Sequence, residues 1–230
     1  IKKVIEIIKK EGFQIIHSHG AKANMFSLAA REFTHLPSVT TVHSDYRLDY
    51  MHSLFKKLTF GNINAVALRY LDYYIGVSEN FRKMLVERDF NPENIFTVYN
   101  GMDFNSPVKS YSRESFAAKY NIELKDTDVI VGIAARLYPV KGIDTLIEAA
   151  SEVVKKNPSV KFIIGGDGED RKRLERKTAA MGLSGKVIFV GWLDDPYELM
   201  SIVDISVLTS ISESFPYSIL EGARFKKATV

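Results

Sequence analysis

The sequence has no cysteine in its 230 residues and only one tryptophan. Without thiols there is no disulfide framework and no thiolate metal site, and the composition fits a reducing compartment. The expectation is a cytoplasmic protein, with peripheral contact at the inner membrane face as its membrane-associated variant. A dominant charge of one sign is also missing. The 31 lysines and arginines stand against 28 aspartates and glutamates, a balance that argues against nucleic acid as the main partner and confines any basic face to a local patch. No apolar run approaches the ~20 residues that span a bilayer, and the opening "IKKVIEIIKKEG" lacks the uninterrupted apolar core of a signal peptide. What is present is a hydrophobic fraction of 46%, enough for packed cores in one large domain or two modest ones.

Ile1, Val4, Ile5 and Ile8 recur at helical spacing, so the chain opens in or beside an amphipathic helix. From Val129 onward, short apolar runs ("VIVGIAA", "VKFIIGG", "VIFVG", "ISVLT", "ATV") alternate with stretches long enough for crossover helices. Apolar runs unbroken by polar alternation are the mark of parallel strands covered on both faces. The first part repeats the rhythm with "FQIIHSH", "SVTTVHS", "YYIGVS" and "IFTVYNG". Between the halves lies "MDFNSPVKSYSRESFAAKYNIELKDTD", polar and turn-rich. These patterns predict two Rossmann-like doubly wound α/β domains, residues 1–105 and 128–230, joined by a linker over 106–127. Each is expected to be incomplete, because the chain starts without methionine and ends in "KKATV", which reads as the start of a buried strand. Ligands of such sheets bind beyond the carboxyl ends of the strands. Attention therefore falls on His17–Gly20, Ser78, Asn100–Gly101, Arg136–Gly142, Gly165–Glu169, Gly191–Asp195 and Thr209–Pro216.

"ARLYPVKG" places Arg136 and Lys141 in one strand-to-helix loop with Gly142 at the helix entry. Two cations beside helix N–H groups suit a diphosphate, although a solvated basic loop has the same composition. "GGDGED" lacks the third glycine of a dinucleotide fingerprint, so Gly165, Gly166 and Gly168 are read as allowing close approach of a ligand or another backbone. In "TSISESFPYSILEGARF", Pro216 suits the first turn of a helix that Ser214 can cap. Glu213 then lies in the loop and Glu221 on the helix, able to accept sugar hydroxyls, while the amides of Tyr217 and Ser218 can face phosphate. Alternatively, Glu213 caps and Glu221 is solvated. "HSHG" puts His17 and His19 on one side of a strand end. No third ligand has suitable spacing and His43 follows a different strand, so no metal is expected, and one imidazole reaching a substrate is the functional reading. His35 and His52 are read as structural. "DTD" at 126–128 reads as a turn, and "WLDDP" offers Asp194 or Asp195 as a helix cap. The Lys56–Lys57 segment reads as a core helix with a solvated face, and less favourably as a contact for acidic lipid.

Taken in order, "ARLYPVKG", "GGDGED", "GWLDD" and "SESFPYSILEGARFKKATV" resemble the donor-binding domain of the retaining glycosyltransferases of family 4 (glycosyl transferase group 1). "IIHSHGAKAN", "IGVSENF" and "VYNGMDFN" resemble the acceptor-side domain of the same enzymes. The resemblance implies a GT-B architecture, two Rossmann-like domains facing a cleft. It also implies a retaining, metal-independent hexosyltransferase that uses a nucleotide diphosphate sugar, a UDP-sugar first, and a glycan or lipid-linked acceptor in cell-surface polysaccharide or glycolipid synthesis. Arg136 and Lys141 are then implied to hold the diphosphate, Glu213 the donor sugar and Glu221 the ribose. Ser214, Phe215, Pro216, Tyr217 and Ser218 offer backbone contacts, Gly191 and Leu193 lie beside the base, Gly166 lines the site and His19 approaches the donor sugar. No cofactor is implied. The family pattern extends beyond both ends of this sequence, so a fragment inactive alone is expected. The alternatives are a non-catalytic sugar-nucleotide-binding module and a sugar-nucleotide epimerase or phosphorylase of the same fold.

Overall fold

Ser78 starts a helix at a place where its hydroxyl accepts the Phe81 amide at 3.4 Å, and comparable local signals set most of the architecture. The protein was analysed as a computed structural model that describes residues 1–47 and 61–230; His52 and the Lys56–Lys57 pair lie outside them. The chain divides into two units, Ile1–Gly101 with Glu213–Phe215, and Met102–Ser212 with Pro216–Val230. Among the described residues, no helix is long and apolar enough to cross a membrane.

The first unit contains strands β1 (Ile16–His19), β2 (Ser38–Val42), β3 (Tyr73–Gly76) and β4 (Ile95–Thr97), all parallel and in spatial order β1-β2-β3-β4. Helices α1 (Lys2–Glu11), α2 (Ala21–Thr34), α3 (Asn62–Arg69) and α4 (Glu79–Val86) accompany them. β2, "SVTTV", is buried at every position, as expected for a β-branched strand inside a parallel sheet. Its polar atoms are satisfied: Thr40 Oγ1 donates to Asn24 Oδ1 at 2.7 Å, and Ser38 donates through both N and Oγ to Asp72. Leu68, Tyr74, Phe81 and Leu85 form part of the core.

The second unit contains β5 (Val129–Ala134), β6 (Val160–Gly165), β7 (Val187–Gly191), β8 (Ile205–Ser206) and β9 (Ala228–Thr229), parallel and in order β7-β6-β5-β8-β9. Its helices are α5 (Arg113–Tyr120), α6 (Ile143–Lys156), α7 (Arg171–Ala180), α8 (Tyr197–Ile202) and α9 (Tyr217–Arg224). In α6 the buried residues are Ile143, Leu146, Ile147 and Ala150, the one-face spacing of an amphipathic helix. Because side chains alternate along a strand, Ile133 and Ile164 pack with Ile147 and Leu174 on one face, while Ile130 and Ile163 pack with Leu199 and Val203 on the other.

One expectation needs correction. The stretch 106–127 is not a bare linker: it carries α5, whose Phe116 is buried against Leu199 and Val203 in the second unit's core. One buried aromatic on a helix capped by Ser112 is enough to dock a segment of polar composition. The closing "ATV" forms a strand, as expected, with β9 pairing parallel to β8. The "DTD" turn is present, with Asp128 Oδ2 accepting the Lys125 amide at 2.8 Å and ion-paired to Lys161 at 2.9 Å.

Candidate functional site

In the second sheet the strand order reverses at β5: the chain moves outward through β6 and β7, then returns to β8 on the opposite side of β5. The loops after β5 and β8 therefore meet at the carboxyl ends of neighbouring strands where the order reverses, the usual ligand position in such sheets. Those two loops are the Arg136–Gly142 and Thr209–Pro216 segments. They are bonded to each other, Thr209 Oγ1 donating to the Lys141 carbonyl at 3.0 Å and the Ile211 amide to the Val140 carbonyl at 2.8 Å. Gly142 has φ 62°, and a Cβ there would meet the Thr209 carbonyl oxygen at 2.0 Å. Only glycine permits this approach. A 3-10 turn over Pro139–Lys141 leads into α6, whose first turn has no side-chain cap. Arg136 is exposed and, among the described residues, forms no ion pair.

The glycine-rich loop after β6 supports this arrangement. A Cβ on Gly166, at φ 129°, would fall 1.9 Å from the Ala135 carbonyl oxygen, and the Leu137 amide donates to the Asp167 carbonyl at 2.9 Å. The close approach anticipated at these glycines is therefore made by another backbone at Gly166 and Gly168, which holds the turn bearing Arg136, and by the Leu193 side chain at Gly165. The Gly166 amide donates to the Gly191 carbonyl at 2.6 Å. The Leu193 side chain is buried among Ile163 and Leu199, so only its backbone is available to a ligand.

The expected cap of α9 is different. Pro216 is the N-cap residue rather than part of the first turn, and no side chain bonds the first-turn amides. Ser214 Oγ instead donates to the His43 carbonyl at 2.6 Å, within the first unit. The α9 start, like that of α6, presents N–H groups without a side-chain acceptor, which favours an anion there. Glu221 is half-buried and not fully solvated. Burial, then the nearby Asp195 charge, pushes its carboxyl above the usual range. Asp195, not Asp194, caps α8: its Oδ1 accepts the Tyr197 amide at 2.9 Å. Thus Arg136, Lys141, Gly166, Gly191, Leu193, Pro216, Tyr217, Ser218 and Glu221 fall in the second unit, whereas His19, Glu213, Ser214 and Phe215 fall in the first.

In the first unit, the parallel register sets His19 opposite Thr41, and His43 follows two residues later. His19 Nδ1 and His43 Nε2 share a hydrogen bond at 2.8 Å, and His17 Nε2 bonds Thr41 Oγ1 at 2.8 Å. Burial, then the His19 charge, lowers the His17 pKa from 6.5; burial, then His19 and His17, lowers that of His43. Both favour the neutral imidazole. His43 was missed as a partner of His19. The available signal was its position directly after an apolar run, the same placement that singled out His19. Among the described residues, no group of three or more His, Cys, Asp or Glu is placed to hold a metal ion.

The family profile described as glycosyl transferases group 1 matches residues 114–230, and that of glycosyltransferase family 4 matches residues 1–106. The chain belongs to the group 1 glycosyltransferases. Among curated members, it is 27% identical over 216 residues to the O-antigen biosynthesis glycosyltransferase WclY of Escherichia coli, covering 92% of this chain and 59% of that protein. It is 25% identical over 222 residues to the UDP-Gal:alpha-D-GlcNAc-diphosphoundecaprenol alpha-1,3-galactosyltransferase of Escherichia coli, covering 94% and 57%. The chain thus spans a little under three fifths of the length of these relatives. Among solved structures, HepE of Anabaena in complex with UDP-glucose matches with a TM-score of 0.79 and 25% identity, covering 99% of this chain and 61% of that one. The group 1 glycosyltransferase chain has the GT-B fold, with two Rossmann-like parallel sheets.

Proposed function

We propose that this chain forms much of a retaining glycosyltransferase that moves a hexosyl group from a UDP-sugar to a glycan or lipid-linked acceptor during assembly of cell-surface polysaccharide or glycolipid. The observation that carries the reading is the pair of loops after β5 and β8, which gathers Arg136, Lys141 and two helix starts without side-chain caps at the carboxyl ends of neighbouring strands. The names of the Escherichia coli relatives and the UDP-glucose bound by HepE favour the same donor class and biosynthetic setting.

In this proposal the bond between the anomeric carbon and the diphosphate breaks, and its electron pair passes to the leaving phosphate oxygen. Arg136, Lys141 and the amides of Tyr217 and Ser218 stabilise that charge as it develops, a role for which fixed donors and cations are well suited. These groups account for departure of the diphosphate without requiring a divalent ion. Glu221 accepts the ribose hydroxyls and Glu213 those of the donor sugar, with backbone contacts from Ser214, Phe215 and Pro216. The Gly191–Leu193 backbone lies beside the base, the Gly166 turn lines the site, and His19 approaches the donor sugar. Lys141→Ala in the full-length enzyme should lower kcat by about 10²–10³-fold, the scale for losing one preorganised charge-stabilising group. A loss below about threefold would remove Lys141 from the diphosphate site.

A further inference from the structure

The carboxyl ends of β1 and β2 bring His17, His19 and His43 into one cluster, and its contacts fix how His19 is presented. Register places His19 opposite Thr41, whose Oγ1 is bonded to His17 Nε2 at 2.8 Å. The centre of the His17 ring lies 4.4 Å from that of His19 on the same strand. From the end of the other strand, His43 Nε2 meets His19 Nδ1 at 2.8 Å, with the two ring planes 25° apart. The protein thus takes one ring nitrogen of His19. Among the described residues no hydrogen bond engages the other, Nε2, on this exposed side chain.

A second contact ties His43 to the stretch that follows β8. Ser214 Oγ donates to the His43 carbonyl at 2.6 Å, Asn100 Nδ2 donates to the Phe215 carbonyl at 3.1 Å, and the Tyr99 and Phe215 rings lie 5.6 Å apart. These contacts lie within the first unit, to which Glu213–Phe215 belongs. His43 therefore anchors both groups assigned to the donor sugar, His19 through its side chain and Glu213 through the neighbouring Ser214.

A bond between two neutral imidazoles needs one N–H and one lone pair, so the tautomer of one ring sets that of the other. Burial, then the charges of His19 and His17, lowers the His43 pKa from 6.5 and favours its neutral form. If His43 Nε2–H donates to His19 Nδ1, both rings hold the commoner Nε2–H tautomer. The reverse direction would require the less common Nδ1–H form in both. We infer that His43 is a positioning residue that holds His19 in its Nε2–H form, giving the enzyme a fixed hydrogen-bond donor for a hydroxyl of the donor sugar. Its role rests on the assignment of His19 to that sugar. A donor whose tautomer and ring plane are set beforehand costs less to order when the sugar arrives.

Imidazole nitrogen NMR of the ligand-free full-length enzyme at mildly alkaline pH should show His19 protonated at Nε2, with Nδ1 accepting the His43 Nε2–H. In His43→Phe, which keeps a ring beside His19 and removes the bond, His19 should become an averaged mixture of tautomers. His43→Gln, whose amide N–H can reach the same nitrogen, should restore the parent pattern. Calorimetry would compare UDP with UDP-glucose and UDP-galactose. His43→Phe should weaken binding of the tighter UDP-sugar about fivefold, the scale of one lost hydrogen bond, while UDP binding stays within about twofold and His43→Gln recovers most of the loss. Protonation of His19 at Nδ1 in the parent overturns the inference even where His43→Phe fails to fold. So does an unmoved His19 tautomer in His43→Phe, or an equal loss of UDP and UDP-sugar binding. If His19→Ala weakens UDP-sugar binding and His43→Phe does not, the assignment of His19 stands and the role of His43 falls. If His19→Ala binds UDP and the UDP-sugar as the parent does, or the parent binds neither UDP-sugar, the assignment falls and the inference with it.

Discussion

His17, His19 and His43 crowd together because β1 and β2 run parallel and in register, so residues beyond their ends emerge side by side. The His17 and His19 ring centroids are 4.4 Å apart and those of His19 and His43 are 5.2 Å apart. Folding lowers the pKa of His17 and of His43 below 6.5, so above that pH both are neutral in the folded and unfolded chain and contribute no pH dependence. As the pH falls below 6.5 the unfolded chain takes up protons first, and stability declines until the lowered folded values are passed. His19→Ala should raise both remaining imidazole pKa values toward 6.5 and flatten this decline. Imidazole NMR titration and chemical denaturation at several pH values would measure it, and unchanged titrations would show that His19 exerts no charge on its neighbours.

At the scale of elements, α6 and α7 are tied by Asp144, which pairs with Arg173 at 2.6 Å and Lys177 at 2.9 Å. The Arg173 hydrogen bonds, opposed by burial and aided by Lys177, depress the Asp144 carboxyl from 3.8 to about 2. A depressed carboxylate stabilises the fold above its unfolded pKa and loses that contribution as pH falls through the folded one. Asp144→Asn should therefore cost about 1 kcal/mol near neutrality, after allowance for solvent screening of a partly exposed pair. The difference from the parent should shrink between about pH 4 and about pH 2, measured by denaturant titration. Most elements were legible from the sequence: the apolar runs became parallel strands, and the spacing of Ile143, Leu146, Ile147 and Ala150 marked a helix face. Helix ends were less legible. Ser214 looks like a cap by residue type, yet its hydroxyl donates to the His43 carbonyl, a bond across 171 residues that local pattern cannot foresee.

At the scale of the whole molecule, binding of UDP to the folded second unit should raise its stability by mass action. At about 100 times Kd the gain is about 2.7 kcal/mol, or about 5–10 °C in thermal midpoint for a chain of this size. A thermal scan with UDP and with free sugar would test it, and an equal response to both would argue against recognition of the nucleotide. Arg136, Lys141 and Glu221 were recognisable as candidates because each lies in or just after a strand-to-helix segment with suitable chemistry. By itself the sequence determined the alternation of strand and helix, the division into two α/β halves and the residues that face each core, because these follow from local periodicity and turn chemistry. Only the tertiary structure decided that the loops after β5 and β8 are neighbours, that Phe116 docks the stretch read as a linker, and that His43 meets His19. Those outcomes depend on strand order and parallel register, which arise from pairings between distant segments and leave no periodic trace in the chain.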